Sequence, residues 1–326
     1  MKRRQVLAML LLIGVLTAAV MGFQAPQAGA GGGQRAGGGG PAAGQAGGQA
    51  GRGAPPALAT IKVRDNLFMI TNAGGNTAVF IMNNGVALVD TKNPNNGQGI
   101  LDQVRMVTNK PITMVINTHT HADHTGSNEF FTDNVVFTAH ENTKANMEKM
   151  PNFAGDKAKF MPSRVYKDTL TIGTGADQIQ LYYFGRAHTN GDSFVVFPAL
   201  RVMHTGDAFA NKGFPLIDAP NGGSGVEYGN TLAKAAATIK NVDTLINGHV
   251  TTGPLPFSDL QVAADFNKDF LTYVQDAIKA NKNADQAIAD YKLADKYLAA
   301  GYTLPAPGGR GGPGNNIKVL YTELGK

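Results

Sequence analysis

Three histidines and an aspartate, His119, His121, Asp123 and His124, fall within six positions of the stretch Thr118-His119-Thr120-His121-Ala122-Asp123-His124-Thr125-Gly126. The chain of 326 residues holds only seven histidines, so this clustering carries information. Neutral imidazole and carboxylate are ligands for divalent transition metals. The apolar run Pro111 to Asn117, just before the cluster, reads as a β-strand. Side chains alternate along extended backbone, so His119 and His121 can point the same way. As the chain turns, Asp123 and His124 can swing toward a second point a few ångströms on. The pattern predicts a two-metal site and hydrolytic chemistry.

Three later candidates each close a strand-like run. His188 lies in Gly185-Arg186-Ala187-His188-Thr189-Asn190-Gly191-Asp192, after Ile179–Phe184. Asp207 lies in His204-Thr205-Gly206-Asp207, after Arg201–Met203, and His249 lies in Ile246-Asn247-Gly248-His249, after Thr244–Asn247. Small residues beside them let the backbone approach a shared centre.

With these residues in this order, the chain resembles the metallo-β-lactamase superfamily across roughly residues 59–300. That family is marked by H-x-H-x-D-H followed by separate His, Asp and His ligands. The resemblance implies an α/β fold, a four-layer αβ/βα sandwich with metals at one edge between the sheets. It implies that His119, His121 and His188 hold a first metal, that Asp123, His124 and His249 hold a second, and that Asp207 bridges them. Metals about 3.5–4 Å apart share a water, and the resulting hydroxide attacks a carbonyl of an ester, thioester, lactone or amide. Asp123 would also act in catalysis, orienting the nucleophile or relaying a proton. Two zinc ions are the expected cofactors, and iron and manganese suit the same ligands.

Within the resemblance, the absence of Cys sets aside the β-lactamases that use a thiolate in the second position. The other β-lactamase branch generally lacks the bridging Asp present here, and Ala210 stands where N-acyl-homoserine lactonases carry a Tyr. Lys279, Lys282 and Lys292 would match the basic glutathione surface of the hydroxyacylglutathione hydrolases, or are simply solvated helix positions. The expectation is therefore a more general hydrolase of small molecules. β-Lactamase activity and an iron-dependent oxidoreductase on the same fold are the alternatives.

Around the ligands, Asp90 closes the strand-like run Val86–Asp90 and is a candidate to orient an imidazole from behind. Arg186 and Tyr228 are candidates to contact substrate, with solvated surface positions as the alternative. His140 reads as a helix start, and His204 as packed beside the site. The loop Asn211–Tyr228 is expected to rim the pocket.

To position these residues, the sequence predicts strands at Ala59–Val63, Leu67–Thr71, Thr77–Met82, Val86–Asp90, Ile112–Asn117 and Val135–Ala139. Further strands are expected near Leu170–Ile172, Ile179–Phe184, Phe194–Phe197, Arg201–His204 and Thr244–Asn247. Helices are expected at Gln98–Thr108, Glu141–Lys149, Thr231–Ile239, Leu260–Ala280 and Asp285–Ala299. The domain spans residues 58–304. Residues 305–326 read as a Gly/Pro-rich linker and tail, with Ile317–Tyr321 a late strand or docked segment.

The N-terminus differs in kind. Lys2-Arg3-Arg4, an apolar run from Val6 to about Gly22 and Ala28-Gly29-Ala30 make residues 1–30 a secretory signal peptide. An uncleaved anchor is the alternative, and Arg3-Arg4-Gln5-Val6-Leu7 leaves open a twin-arginine route. Residues 31–57 read as a flexible leader with almost nothing to bury. Export to a bacterial periplasm follows, with no stable membrane insertion after cleavage; a large domain there does not require disulfides. The net charge of +5 falls to +2 without the three cations of residues 1–30. Without Arg35, Arg52 and Arg310 it is near −1, which leaves no basic footprint for nucleic acid. Oligomeric state is open.

Overall fold

Successive side chains of a strand point to opposite faces, so a strand that is apolar throughout packs against a neighbour on each side, and this chain uses that rule twice. The computed structural model describes residues 56–131, 134–305 and 311–326. The stretch expected to be a signal peptide and nearly all of the expected glycine-rich leader lie outside the described residues, as do residues 132–133 and 306–310. The first sheet holds seven strands in chain order: β1 (Ala59–Arg64), β2 (Leu67–Thr71), β3 (Thr77–Met82), β4 (Gly85–Val89), β5 (Ile112–Ile116), β6 (Val136–His140) and β7 (Arg164–Tyr166). Its pairs are antiparallel up to β4 and parallel from β4 to β7. The parallel steps cross over through α1 (Gly97–Arg105), α2 (Ala122–Thr125) and α3 (Glu141–Met147).

The second sheet contains β8 (Thr169–Ile172), β9 (Ile179–Tyr182), β10 (Phe194–Phe197), β11 (Val202–His204), β12 (Thr244–Ile246) and β13 (Leu255–Pro256), in the order β13-β12-β11-β10-β9-β8. The crossover from β11 to its parallel neighbour β12 is α4 (Gly225–Thr238). The helices α5 (Ser258–Lys279), α6 (Ala284–Asp290), α7 (Asp295–Ala299) and α8 (Pro313–Glu323) follow.

Burial sorts these elements into four layers. Val86 and Leu88 of β4 pack outward with Ile100 and Val104 of α1, while Ala87 and Val89 face the second sheet. In β10 the same alternation sends Val195 and Phe197 inward and Phe194 and Val196 toward Leu232 of α4 and Leu260 of α5. The Phe80 and Phe197 rings meet between the sheets at 4.9 Å. The fold is the αβ/βα sandwich expected. Among the described residues no helix is long and apolar enough to cross a membrane.

Two expectations are corrected. The run Asp285–Ala299 is not one helix: α6 stops at Asp290, and Tyr291 and Ala294 are extended. A straight helix would turn Leu293 about 120° away from Ala287. The break lets both, together with Tyr297, enter one cluster with Phe266 and Phe270 of α5. Of the two readings of Ile317–Tyr321 the docked segment holds and the strand does not: it is part of α8, which begins at Pro313. Ile317, Leu320 and Tyr321 are all buried, and their helical spacing prevails over the alternation of Ile317, Val319 and Tyr321. The folded region thus runs past residue 304.

Truncating Phe80 to Ala should cost about 3–5 kcal/mol, because it empties the interface between the sheets. Leu298→Ala, at a half-exposed position, should stay within about 0.5 kcal/mol. Urea denaturation followed by circular dichroism checks both.

Candidate metal centre

Strand direction brings the site together. β4 and β5 run parallel, as do β11 and β12, and β9 shares their direction because β10 is antiparallel to both β9 and β11. Loops leaving the carboxyl ends of these strands therefore collect at one edge, where open α/β sheets bind ligands. β5 leads into His119, His121 and α2, which carries Asp123 and His124. β9 leads to His188, β11 to Asp207 on a short 3₁₀ turn, and β12 to His249.

The seven expected ligands converge. His188 Nε2 lies 2.9 Å from His121 Nδ1, and the His119 ring stands 4.7 Å from that of His188. His124 Nε2 is 3.4 Å from His249 Nε2 and 3.8 Å from Asp123 Oδ2. Asp207 sits between the groups, with Oδ1 3.2 Å from His124 Nε2 and Oδ2 3.1 Å from His249 Nε2 and 3.8 Å from His188 Nε2. Ligand atoms of His119, His121 and His188 lie mutually within 4.8 Å, as do those of Asp123, His124 and His249, and those of His119, His124 and Asp207.

Each imidazole needs its far nitrogen occupied if the near one is to offer a lone pair. Asp90, fully buried, accepts from His124 Nδ1 at 2.7 Å, the Thr118 hydroxyl at 2.7 Å and the Thr118 N–H at 2.8 Å. The Thr118 oxygen is then free to accept from His119 Nδ1 at 3.0 Å. His121 donates Nε2–H to Asp218 at 2.6 Å, and His188 donates Nδ1–H to the Leu216 carbonyl at 2.7 Å. These bonds leave His119 Nε2, His124 Nε2, His188 Nε2 and His121 Nδ1 facing the centre. His119 Nε2 and Asp207 Oδ1 are buried without a hydrogen-bond partner among the described residues. Two such ligand atoms at the point where seven ligands converge fit a metal.

Close approach of the backbone completes the centre. A Cβ on Gly248 would collide with Asp207 Oδ1, and one on Gly75 with the His124 ring. The Gly75 N–H also holds the Asp123 carbonyl at 2.9 Å. Lys92, buried behind this loop, donates to the Ile70 and Gly75 carbonyls, each at 2.9 Å. Burial lowers its amine to about 7, against the attraction of Asp90.

Other expectations sort differently. Tyr228 is 1 % exposed and donates its hydroxyl to the Asp207 carbonyl at 3.0 Å, so it braces a ligand from behind and does not face substrate. Arg186 is not a free cation: it donates to the Gly222 and Gly223 carbonyls and pairs with Glu227 at 3.3 Å. His140 accepts the Asn142 N–H at the start of α3. His204, fully buried, donates to the Asn76 carbonyl at 3.0 Å and accepts the Gly206 N–H. The loop expected only to rim the pocket supplies Leu216 and Asp218 to the outer shell. Neither Asp218 nor Lys92 stood out, because a loop Asp and a lone Lys carry no spacing signal.

Electrostatics follow the same map. Burial, with His124 and His188 nearby, holds His119 well below the usual imidazole range. Burial opposes a charge on His124, but Asp207 and Asp90 outweigh it and push it well above that range; Asp207 similarly raises His249 against burial. Without a cation the carboxylates thus hold protons on the second histidine group, and a metal must displace them.

This fold and this ligand set define a class. The metallo-beta-lactamase superfamily model matches residues 71–249, and the chain belongs to that superfamily, whose members are generally metal-dependent hydrolytic enzymes. Similar solved structures include the DIM-1 metallo-beta-lactamase, at 18 % identity and TM-score 0.53 over 65 % of this chain and 99 % of that one. A metallo-beta-lactamase from Pontibacter korlensis gives 16 %, 0.56, 65 % and 99 %. The stereoselective inverting sec-alkylsulfatase Pisa1 from Pseudomonas sp. gives 14 % and 0.65 over 82 % of this chain, which spans 50 % of the sulfatase. At these identities the likeness is one of fold.

Asp90→Asn places an amide against three donors and should weaken metal binding at the His124 position roughly 10–100-fold, read by calorimetric titration. Because His124 and His249 hold protons more firmly than free imidazole, zinc loading should release protons at neutral pH. Affinity should then rise with pH through this range, and titrations in buffers of different ionisation enthalpy count the protons.

Proposed function

We propose that the chain is an exported hydrolase with a binuclear metal site, acting on an ester, thioester, lactone or amide of a small molecule. The observation that carries this reading is the convergence of seven ligands, four of them imidazoles whose outer nitrogens are tied off so that the inner ones face a common centre. His119, His121 and His188 would hold one divalent ion, Asp123, His124 and His249 the other, and Asp207 both. Zinc in these positions would lower the pKa of a bound water toward neutrality and polarise the scissile carbonyl.

The chain's own residues supply the rest. Asp123 and His249 keep 33 % and 32 % of their side-chain surface open, so the second group borders the solvent from which substrate arrives. Asp123 Oδ2 stands 3.4 Å from His249 Nε2, where a carboxylate can accept the nucleophile's proton and return it to the leaving group. Asp90, Thr118, Asp218 and Tyr228 hold the ligands in place. The residues N-terminal to the domain support export through Lys2-Arg3-Arg4, the apolar run and Ala28-Gly29-Ala30.

Purified protein should contain about two transition-metal ions per chain, with zinc expected. Hydrolysis of β-lactams, lactones, thioesters, sulfate esters and phosphodiesters, with and without chelator, identifies the substrate class. A folded, metal-free and fully active enzyme would sink the reading, and iron with oxygen consumption would replace it by the oxidoreductase alternative. Asp207→Ala should lower the rate by at least about two orders of magnitude, since both metal positions lose a ligand. N-terminal sequencing of protein from a periplasmic fraction should begin after Ala30.

A further inference from the structure

The helix α8 grips the loop between β11 and α4 at both ends. Asn316, buried, donates Nδ2–H to the Pro215 carbonyl at 2.9 Å. At the other end, Glu323 accepts the Gly225 N–H at 2.9 Å, the Val226 N–H at 3.3 Å and the Ser224 hydroxyl. These are unpaired amides of the first turn of α4, where a carboxylate is favoured. Between the two grips, Leu320 and Ile217 close so tightly on Gly225 that a Cβ there would meet them at 2.7 and 2.9 Å.

The gripped segment is the one that orients His121 and His188, two of the three histidines of the first group. The Leu216 carbonyl, next to the one Asn316 holds, receives His188 Nδ1–H, and Asp218 receives His121 Nε2–H. Inside the loop, the Asp218 N–H bonds the His188 carbonyl at 2.9 Å and the Ser224 N–H bonds that of Ala187 at 2.9 Å. The loop thus wraps around His188, and α8 fastens it. α8 lies outside residues 71–249, the part that the superfamily model matches.

We propose that α8 is a clamp on the metal centre, with Asn316 and Glu323 as positioning residues that keep Leu216 and Asp218 in register with His188 and His121. The clamp sets the tautomers of His121 and His188, two of the three histidines of the first metal position, and through them the affinity of that position. The third histidine of that position, His119, and His124 of the second position are held instead from β4 and β5 through Thr118 and Asp90. This inference rests on the metal-site reading above.

The test uses the full chain and the variants Asn316→Ala, Glu323→Ala and Glu323→Gln, the last keeping an oxygen acceptor. Zinc is titrated by calorimetry, and ring nitrogens are read by NMR on metal-free protein labelled with ¹⁵N-histidine. In the Ala variants the first-position affinity should fall roughly tenfold, the lower end for losing an outer-shell partner. His121 and His188 should lose their single-tautomer signals while His124 keeps its own, and Glu323→Gln should restore most of the loss. Should Glu323→Ala fail to fold, Asn316→Ala and Glu323→Gln carry the comparison. Unchanged zinc binding and unchanged tautomers in the folded Ala variants overturn the clamp and leave the metal centre standing. Equal weakening of both positions, in step with a lower Tm, also overturns it. A full-length chain that binds no zinc overturns the metal-site reading and the clamp with it.

Discussion

A carboxylate with no access to water must have its oxygens hydrogen-bonded, and Asp90 meets that requirement with donors that also aim the metal ligands. Its three partners are His124 Nδ1–H, the Thr118 hydroxyl and the Thr118 N–H, and Thr118 in turn orients His119. Solvating a buried charge and presenting two lone pairs to a metal are therefore one arrangement. The residue pays for its place with φ of 65°, uncommon outside glycine, and is held there by its own N–H bonded to the Ile116 carbonyl at 2.8 Å. That bond continues the β4–β5 pairing beyond the last paired residues, so the sheet itself enforces the turn.

The two histidine groups are supported differently. His119 and His124 lean on Asp90 and Thr118, which extend directly from β4 and β5. His121 and His188 lean on Asp218 and the Leu216 carbonyl, which belong to a loop with little regular structure. A loop orients a ligand only as well as it is itself fixed. Here the fixing comes from Arg186 on one side and from α8 on the other. The open face is formed by Asp123, on α2, and His249, after β12, while His119 and His124, held from the sheet, are fully buried.

Much of this was legible in the chain. The cluster from His119 to His124 stands out because ligand types recur at a spacing that strand and turn geometry can use, and His188, Asp207 and His249 each follow a strand-like run. The strands of both sheets were readable from short apolar runs bounded by turn residues, most clearly in Thr77–Met82 and Phe194–Phe197, which match residue for residue. Short apolar runs misled: Ile317–Tyr321 satisfies both periods, and only burial against α5 and α6 selects the helix. Tyr228 looked available to substrate because burial of a tyrosine depends on the neighbouring layer, here the cluster of Leu232, Leu260 and Phe209.

By itself the sequence determined which side chains can bind metal and that extended segments deliver them, because both properties are local: ligand chemistry belongs to the residue and alternation to the strand. Tertiary structure decided which nitrogen of His121, His124 and His188 faces the centre, since that depends on partners far away in the chain. His121 is set by Asp218, His124 by Asp90, and the Asp207 backbone by Tyr228. It also decided that the helix at 313–323 belongs to the site's support, because hydrogen bonds from Asn316 and Glu323 to residues about a hundred positions earlier leave no periodic trace in either segment.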